Sequence, residues 1–306
     1  MLIVDIHVHP FASEKEILSE MERAGVDYSV LLAVDADPTD VEKPEIKKRL
    51  RQRHLKSTSF GLSHLVPIED QIRMFFQGLI SYYPDLKSTN QEIAELVKRK
   101  PDKFIGFGSV NPNKDESYVE AKLKEIDILG LKGVKMLPTL QLFSPSENKN
   151  FEKICEYCEK EKKVLLYHTG CDPGPWEKAE LSEDANPKYL KPILERYKPL
   201  VVLAHTGSYS AYKPGIWFEE ALELGKKFDN IYFDSAAVSS FIYSEKILKR
   251  IKSEVGLDRL LYGSDYPVVF GSDMKFEVDF LNNCKFLSQG EKEGILGLNA
   301  ARIMDL

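Results

Sequence analysis

Eight short apolar runs, each followed by residues with helical spacing, constrain the fold of this 306-residue chain more than any other feature. The runs cover residues 2–10, 28–35, 104–112, 132–138, 163–170, 199–207, 230–237 and 259–267. Strands that alternate with helices pair in parallel, because each crossover returns the chain to the same end of the sheet. Eight such units predict a (β/α)8 TIM barrel, with residues 1–306 forming a single domain.

The connection between the second and third runs is much longer than the few residues of an ordinary strand-to-helix loop. Residues 36–100 therefore predict a long helical insertion after strand two, which would act as a lid or cap over the C-terminal face of the barrel. Within it, "KKRLRQRHLK" (47–56) carries six lysines and arginines together with His54. This basic stretch, with Arg51 as the named candidate, either attracts a carboxylate substrate or forms a solvated helix face. His54 and His64 are expected to be surface or packing residues, with substrate contact as the alternative.

Composition narrows the classes of function. The formal net charge is −6, so no global basic field is available for nucleic acid or an anionic membrane. No apolar run approaches the length of a membrane span. A cleaved leader would remove the histidines of the first strand, so we expect a cytoplasmic protein. Cys155 and Cys158 lie at helical spacing with apolar neighbours, which favours buried helix cysteines over a redox pair.

Histidines and aspartates occur at the ends of several predicted strands. Alternation along the first strand gives Asp5, His7 and His9 one parity, and we predict that all three face the barrel interior. The fifth and sixth strands end at His168 and His205, both assigned inward parity, and the eighth ends at Asp265. The C-terminal ends of barrel strands meet at one rim, so these side chains are expected to converge.

Two imidazoles two residues apart on one strand project to the same side, roughly 7 Å apart, and can reach one ion. His7, His9, His168 and Asp265 together supply three nitrogen donors and one oxygen donor, a set that zinc accepts. The sequence therefore predicts one divalent metal ion, with zinc the leading expectation and manganese, iron or cobalt as alternatives. Asp5 is a candidate for orienting a histidine, although a structural hydrogen bond explains it about as well; Asp234 is a candidate for lining the pocket, although a helix N-cap is the commoner role of such an aspartate.

The chain resembles the amidohydrolase-related (amidohydrolase 2) family of the metal-dependent hydrolase superfamily. The resemblance rests on "VDIHVHP", "FIGFGSVNP", "GLKGVKMLP", "LLYHTG", "LVVLAHTG", "LLYGSDYPV" and "ILGLNAARIMDL", which together run nearly end to end. It implies a distorted (β/α)8 barrel, His7, His9, His168 and Asp265 as metal ligands, and His205 as an acid/base group. The family includes hydrolases, hydratases and decarboxylases similar to aminocarboxymuconate-semialdehyde decarboxylase, so the resemblance indicates the scaffold better than the reaction.

The chemical state of Lys135 distinguishes a site with one metal ion from a site with two. It lies in the fourth strand with inward parity, and binuclear superfamily members carry a carboxylated lysine at this strand. An unmodified lysine would instead bind a substrate anion or form a salt bridge, and we favour that version with one metal. Two metals would require Lys135 to be carboxylated.

The expected function is hydrolysis of a small amide, ester or lactone by metal-activated water, with Asp265 and His205 as catalytic residues. Two alternatives stay open: a metal-dependent decarboxylase of a carboxylated aromatic or muconate-like acid, and a noncatalytic metal-bearing barrel. Lys135, Arg51, Tyr209 and Trp217 are candidate substrate residues, and Tyr212 lies near the same mouth. The expected partner is a small molecule, with a carboxylate as one form of it; a homodimer is left open, and no nucleic acid or membrane partner is expected.

Overall fold

The computed structural model describes residues 1–57, 66–269 and 271–306. Eight parallel strands form one sheet in the order of the sequence, β1 to β8. The strands are β1 (Val4–Val8), β2 (Tyr28–Leu32), β3 (Phe104–Ser109), β4 (Gly133–Met136), β5 (Val164–Gly170), β6 (Val201–Tyr209), β7 (Ile231–Asp234) and β8 (Leu260–Leu261). The predicted TIM barrel is confirmed.

Helices follow the strands around the outside. They are α1 (Glu14–Ala24), α2 (Pro44–Lys56), α3 (Ile68–Tyr82), α4 (Asn90–Arg99), α5 (Glu116–Ile128), α6 (Lys149–Lys160), α7 (Ala179–Ser182), α8 (Lys191–Leu194), α9 (Phe218–Lys227), α10 (Ser239–Ile242), α11 (Glu245–Glu254), α12 (Met274–Asn282), α13 (Gln289–Glu293) and α14 (Asn299–Met304). Among the described residues, no helix combines the length and the apolar character that crossing a membrane requires.

The barrel closes where the first strand meets the segment after the last. Ile6 donates its backbone N–H to the carbonyl of Tyr262 at 3.1 Å, and Asp265 donates to His7 at 2.9 Å. His9 donates to Tyr266 at 2.9 Å, beside a parallel bridge between Val8 and Tyr266. The two ends of the sheet are therefore joined at the level of the polar residues.

Two apolar clusters hold the barrel together. The larger fills the space between the strands and the surrounding helices, and the smaller fills the interior of the barrel toward its N-terminal end, where α14 covers it. The interior cluster contains Val4, Ile6, Val30, Leu32, Ile105, Phe107, Val164, Leu166, Val202, Ala204, Leu261, Ala300 and Met304. Polar side chains begin above this apolar plug, so the functional rim rests on a closely packed base.

The described residues between β2 and β3 form three α-helices, α2, α3 and α4. The last, α4, packs against β3: a Cβ atom on Gly106 would lie 2.9 Å from Ile93 and 3.1 Å from Val97. It is therefore the ordinary barrel helix of this unit, although it falls inside the predicted insertion of residues 36–100. Helices α2 and α3 form a separate apolar cluster with the loops after β4 and β5, and this cluster contains Val41, Ile46, Leu50, Ile68, Ile72, Phe76, Leu142, Trp176 and Leu181.

Both cysteines of the C-x-x-C pair, Cys155 and Cys158, are buried on α6, as predicted. They are free thiols, as are Cys171 and Cys284.

Candidate active site

A cavity of about 320 Å³ opens at the C-terminal rim of the barrel. Its floor carries histidines and aspartates, and its walls are mostly apolar or aromatic. The lining residues are His9, Phe11, Val34, Phe75, Gly78, Leu79, Tyr82, Tyr83, Leu137, Leu140, His168, Asp172, Pro173, His205, Tyr209, Asp265 and Val268. Side chains from β1, β5 and β6 and from the segment after β8 meet here, as the strand ends predict.

His7 is fully buried and does not itself line the cavity, but it contacts the lining residues Asp265 and His205. Its Nδ1 lies 3.0 Å from Oδ2 of Asp234, and its Nε2 lies 3.3 Å from Oδ1 of Asp265. Burial holds the pKa of His7 well below its ordinary value, and the ammonium of Lys135 lowers it further. The ring is therefore neutral, and with Nδ1–H donating to Asp234 its Nε2 carries the lone pair a cation needs.

His9 and Asp265 complete a compact donor group with His7. Nε2 of His9 lies 3.4 Å from Oδ1 of Asp265, and one ligand atom from each of the three residues lies within 4.8 Å of the others. Burial raises the pKa of Asp265, but the hydrogen bond from His9 and the neighbouring His205 outweigh burial and leave that pKa below its usual value. Two imidazoles and one ionised carboxylate thus face a common point.

His168 and His205 flank this group. Their ring centroids lie 4.9 Å apart, and that of His205 lies 4.9 Å from that of His7. Burial lowers the pKa of each ring to about 3, so both are neutral near pH 7. Nδ1 of His205 donates to the carbonyl of Ala236 at 2.8 Å, which leaves Nε2 as an acceptor. Nε2 of His168 lies 3.3 Å from Oδ2 of Asp172 and makes no hydrogen bond within the described chain.

Strict alternation of side chains along β1 does not explain why His7 and His9 both reach the site. Val4 and Ile6 lie in the interior cluster, so the prediction that Asp5 shares the inward face was wrong. The pairing register between β1 and β2 shifts between Asp5 and Val8. Irregularities of this kind re-aim side chains, and this one directs His7 and His9 toward the cavity floor.

A similar correction applies to β6. Val202 and Ala204 belong to the interior cluster, whereas Val201 and Leu203 pack beneath the helices, which reverses the predicted parity. His205 still reaches the site because its backbone adopts φ 60°, in the left-handed region that a side chain seldom occupies. Strained backbone at non-glycine residues is characteristic of functional sites, and Asp265, also at φ 60°, shares this feature.

Two buried aspartates support the floor from behind. Oδ1 of Asp234 accepts the backbone N–H of His205 at 2.7 Å, while its Oδ2 contacts His7. Oδ1 of Asp5 accepts the backbone N–H groups of His7 at 3.1 Å and Ser264 at 3.0 Å. Burial raises the pKa of each carboxyl to about 7. Asp234 thus orients ligand and acid/base candidates together, and Asp5 ties β1 to the segment after β8.

A family model described as amidohydrolase matches residues 4–306. The chain belongs to the amidohydrolase family.

The proteins similar to this chain are named for more than one reaction. The chain is 26% identical over 250 residues to a 2-amino-3-carboxymuconate-6-semialdehyde decarboxylase of Dictyostelium discoideum, covering 71% of this chain and 65% of that protein's length. A probable 2-pyrone-4,6-dicarboxylic acid hydrolase from Acinetobacter baumannii, solved with citric acid, has a TM-score of 0.65 at 16% identity, with 100% of each chain covered. A dihydroxybenzoic acid decarboxylase from Polaromonas, solved with manganese and an inhibitor, has a TM-score of 0.60 at 13% identity, with 100% and 97% covered. The two solved structures share the fold.

Lys135 is fully buried on β4, and its Nζ lies 3.0 Å from Nε2 of His7. Burial lowers its pKa to about 8, against the opposing charges of Asp265 and Asp234. The inward orientation predicted for Lys135 is observed. Its amine contacts the donor group through His7 and does not line the cavity.

The other proposed substrate residues lie at varied distances from the cavity. Tyr209 lines it, with its ring centroid 5.2 Å from that of His205. Trp217 does not line it; the ring is 6% exposed and packs in a cluster with Cys171 and Ala185. Tyr212 is 86% exposed.

The basic residues of α2 are engaged elsewhere. Arg51 pairs with Glu69, and Arg53 forms a two-pronged ion pair with Asp184 at 2.6 and 2.9 Å. None of the lysines or arginines of α2 lines the cavity. His54 is buried on α2, and His64 lies outside the described residues. The ion pairs attach α2 to α3 and to the loop after β5, so the arginines serve as anchors.

Sequence reasoning missed two parts of this site. One is the wall that α3 contributes through Phe75, Leu79 and Tyr82, followed by Tyr83. The stretch "FFQGLISYY" (75–83) was the available signal, because its aromatic and apolar residues recur at helical spacing. The other is Asp172, four residues after His168 in "HTGCD", which the strand-end argument did not reach.

Proposed function

We propose that this amidohydrolase-family chain is a divalent-metal-dependent decarboxylase of a small carboxylic acid. The observation that carries the proposal is the compact donor group of His7, His9 and Asp265 at the base of an apolar cavity. The sequence relative named above is a decarboxylase, which favours this reaction over the hydrolysis first expected from the sequence.

The residues present fit a metal ion. The three imidazoles of His7, His9 and His168 and the carboxylate of Asp265 would hold it, with neutral rings at His7 and His168 as coordination demands. His168 Nε2 is buried without a hydrogen bond in the described chain, as expected of a nitrogen with a further partner. A bound divalent cation supplies Lewis-acid polarisation of a substrate oxygen.

The protein's own side chains would handle the carboxylate and the proton. A carboxylate in the apolar cavity loses hydration, whereas the carbon dioxide that leaves is neutral, so the surroundings favour breaking the carbon–carbon bond. The electron pair left on the substrate carbon must then take up a proton. His205 Nε2 could accept that proton from a substrate hydroxyl or water and return it to the carbon, because Nδ1 is fixed on Ala236.

Carbon dioxide release and hydrolysis should be measured in parallel on protein reconstituted with zinc, manganese or cobalt. The panel should contain hydroxybenzoates, aminobenzoates, an unsaturated dicarboxylic acid, a pyrone lactone and simple esters. We expect carbon dioxide from at least one acid, loss of most activity in His205→Asn and Asp265→Asn, and unchanged activity in Asp102→Asn, an exposed matched control.

Other outcomes of this assay would redirect the proposal. Turnover of the lactone or esters alone would establish the hydrolase, and no turnover with metal fully bound would support a noncatalytic barrel. The metal content of the same samples tests the expected single ion, because a metal-to-protein ratio near two would indicate a carboxylated Lys135.

A further inference from the structure

Asp172 is a cavity carboxylate for which the proposed chemistry has no role. It follows β5, is 8% exposed and lines the cavity. Its Oδ2 accepts a hydrogen bond from the hydroxyl of Thr139 and lies 3.3 Å from Nε2 of His168. Its Oδ1 makes no hydrogen bond to any residue that the structure describes. The Asp172 side chain is 11% exposed and lines the cavity, so a ligand there can donate a hydrogen bond to this oxygen.

The charges around the cavity define which ligands suit this carboxylate. The lining residues that the structure describes include two aspartates, Asp172 and Asp265, but no lysine or arginine. Asp265 belongs to the metal-type donor group, whereas Asp172 lies outside it. A second carboxylate on the substrate would therefore face a negative group without a lining cation to offset the repulsion.

We propose that Asp172, held by Thr139, is a specificity-determining residue that accepts a hydrogen bond from a hydroxyl or amino group of the substrate. The inference rests on the proposed function, since it concerns the acid that this site would decarboxylate. It assigns the chain a substrate with one carboxylate, a flat or apolar frame and an N–H or O–H donor. The tyrosines and phenylalanines of the wall would pack against the frame.

Thr139 explains why the carboxylate stays oriented. Its side chain is buried, with 2% exposure of the residue, and its hydroxyl donates to Oδ2. That bond leaves Oδ1 as the oxygen available to a ligand. A carboxylate held in this way discriminates between a donor and its methyl ether, because the ether fills the same space without supplying a proton.

The test compares equilibrium binding of matched acids to the metal-loaded protein. The probes are 2-hydroxybenzoate, 2-aminobenzoate, 2-methoxybenzoate and benzene-1,3-dicarboxylate, measured by calorimetry. We expect the first two to bind roughly tenfold to a hundredfold more tightly than the methoxy acid, as a charged hydrogen bond implies. Asp172→Ala should reduce this preference to about twofold or less, and Thr139→Val should reduce it partly.

Asp172→Asn separates charge from hydrogen bonding. It preserves shape and removes the negative charge, so binding of the dicarboxylate should improve relative to wild type. Asp102→Asn serves as the matched control, and metal content and thermal unfolding are recorded for every variant. The preference is a ratio measured within each variant, so a general loss of stability or metal does not imitate the expected result.

The proposal is overturned if wild type binds the hydroxy and methoxy acids equally, if none of the four acids binds, or if Asp172→Ala keeps the full preference. Failure of the proposed function gives a different result, namely selective binding without release of carbon dioxide. Loss of metal in Asp172→Ala with the preference intact would assign Asp172 to the support of His168.

Discussion

Asp234 shows how one buried side chain organises a whole site. Its two oxygens contact the ring of His7 and the backbone of His205, and its own backbone carbonyl accepts the hydroxyl of Thr206 at 2.6 Å. Asp234 does not line the cavity and the N-cap of α10 is Val238, so its contacts differ from both roles predicted for it, pocket lining and a helix N-cap. Carboxylates behind a ligating histidine fix its tautomer and raise its basicity.

Asp234→Asn should therefore weaken metal binding by about 10- to 100-fold. The amide can still occupy the space but no longer stabilises the proton on Nδ1 of His7 as a carboxylate does. Competition with a chromophoric chelator measures the affinity. Asp229→Asn, an exposed neighbour before β7, is the matched control, and equal affinities for the two variants would contradict the role of Asp234.

The buried thiols give a prediction about alkaline pH. Burial raises the pKa of Cys155 and Cys158 above the usual value, and raises that of Cys171 to about 12. The unfolded thiols ionise near pH 9 while the folded thiols keep their protons, so rising pH favours unfolding. Each thiol should lower the free energy of unfolding by about 1.4 kcal/mol per pH unit between pH 9 and its folded pKa.

Urea unfolding at pH 8, 9, 10 and 11 measures this loss. Cys158→Ala should show a shallower decline than wild type, because one titrating group has been removed. Parallel curves for the two proteins would show that the thiol at residue 158 does not contribute.

At the scale of elements, helix α2 is attached to the loop after β5 by a partly buried ion pair as well as by apolar contacts. Asp184, 4% exposed, accepts the guanidinium of Arg53 on both oxygens. Arg49 also contacts Asp184, with its Nε 3.3 Å from Oδ2, so two guanidinium groups of α2 neutralise one buried carboxylate. Arg53, in the basic stretch (47–56) that suggested attraction of a carboxylate substrate, thus has a structural role.

Arg53→Gln should destabilise the protein by about 2 kcal/mol, less than the loss of a fully buried pair, because Arg49 still contacts Asp184. Arg49→Gln combined with Arg53→Gln should destabilise it further, because both guanidinium groups that contact Asp184 are then gone. Chemical denaturation measures both changes. Arg73→Gln, which breaks exposed pairs to Asp70 and Glu42, is the control and should cost less than about 1 kcal/mol; a similar loss in both arginine variants would refute the anchor.

The strands and helices could be predicted because apolar runs and helical spacing repeat regularly. The convergence of His7, His9, His205 and Asp265 could also be predicted, since parallel strands end on one rim. The direction in which the side chains of β1 and β6 point could not be predicted, because it depends on a register shift in β1 and on the left-handed backbone at His205. Strict alternation has no means of representing either irregularity. The contribution of α3 was hidden because periodicity reveals a helix face but not its partner.

At the scale of the whole molecule, the proposed metal ligands from the two ends of the chain would link stability to metal binding. His7 lies in β1 and His9 directly follows it, His168 lies in β5, and Asp265 follows β8. A cation bound by all four would join the closing strands of the barrel. Binding to the folded state alone stabilises a protein in proportion to the logarithm of ligand concentration.

Metal removal should therefore lower the melting temperature. Free metal at a hundred times its dissociation constant is worth about 2.7 kcal/mol, which corresponds to about 5 °C for a chain of this size. Scanning calorimetry of chelator-treated and reloaded protein tests this expectation. Asp265→Asn should show a smaller response to added metal, and a full response in that variant would remove the carboxylate from the ligand set.

The backbone contacts between β1 and the segment after β8 also have a consequence for metal binding during protein synthesis. The two imidazoles near the start of the chain leave the ribosome long before the carboxylate at residue 265 has been made. A nascent chain that stops earlier contains the histidines but lacks the carboxylate of the proposed metal group. If that group binds the ion, full metal loading requires translation through the last barrel strand, and unfinished products would lose the ion during chelator washing.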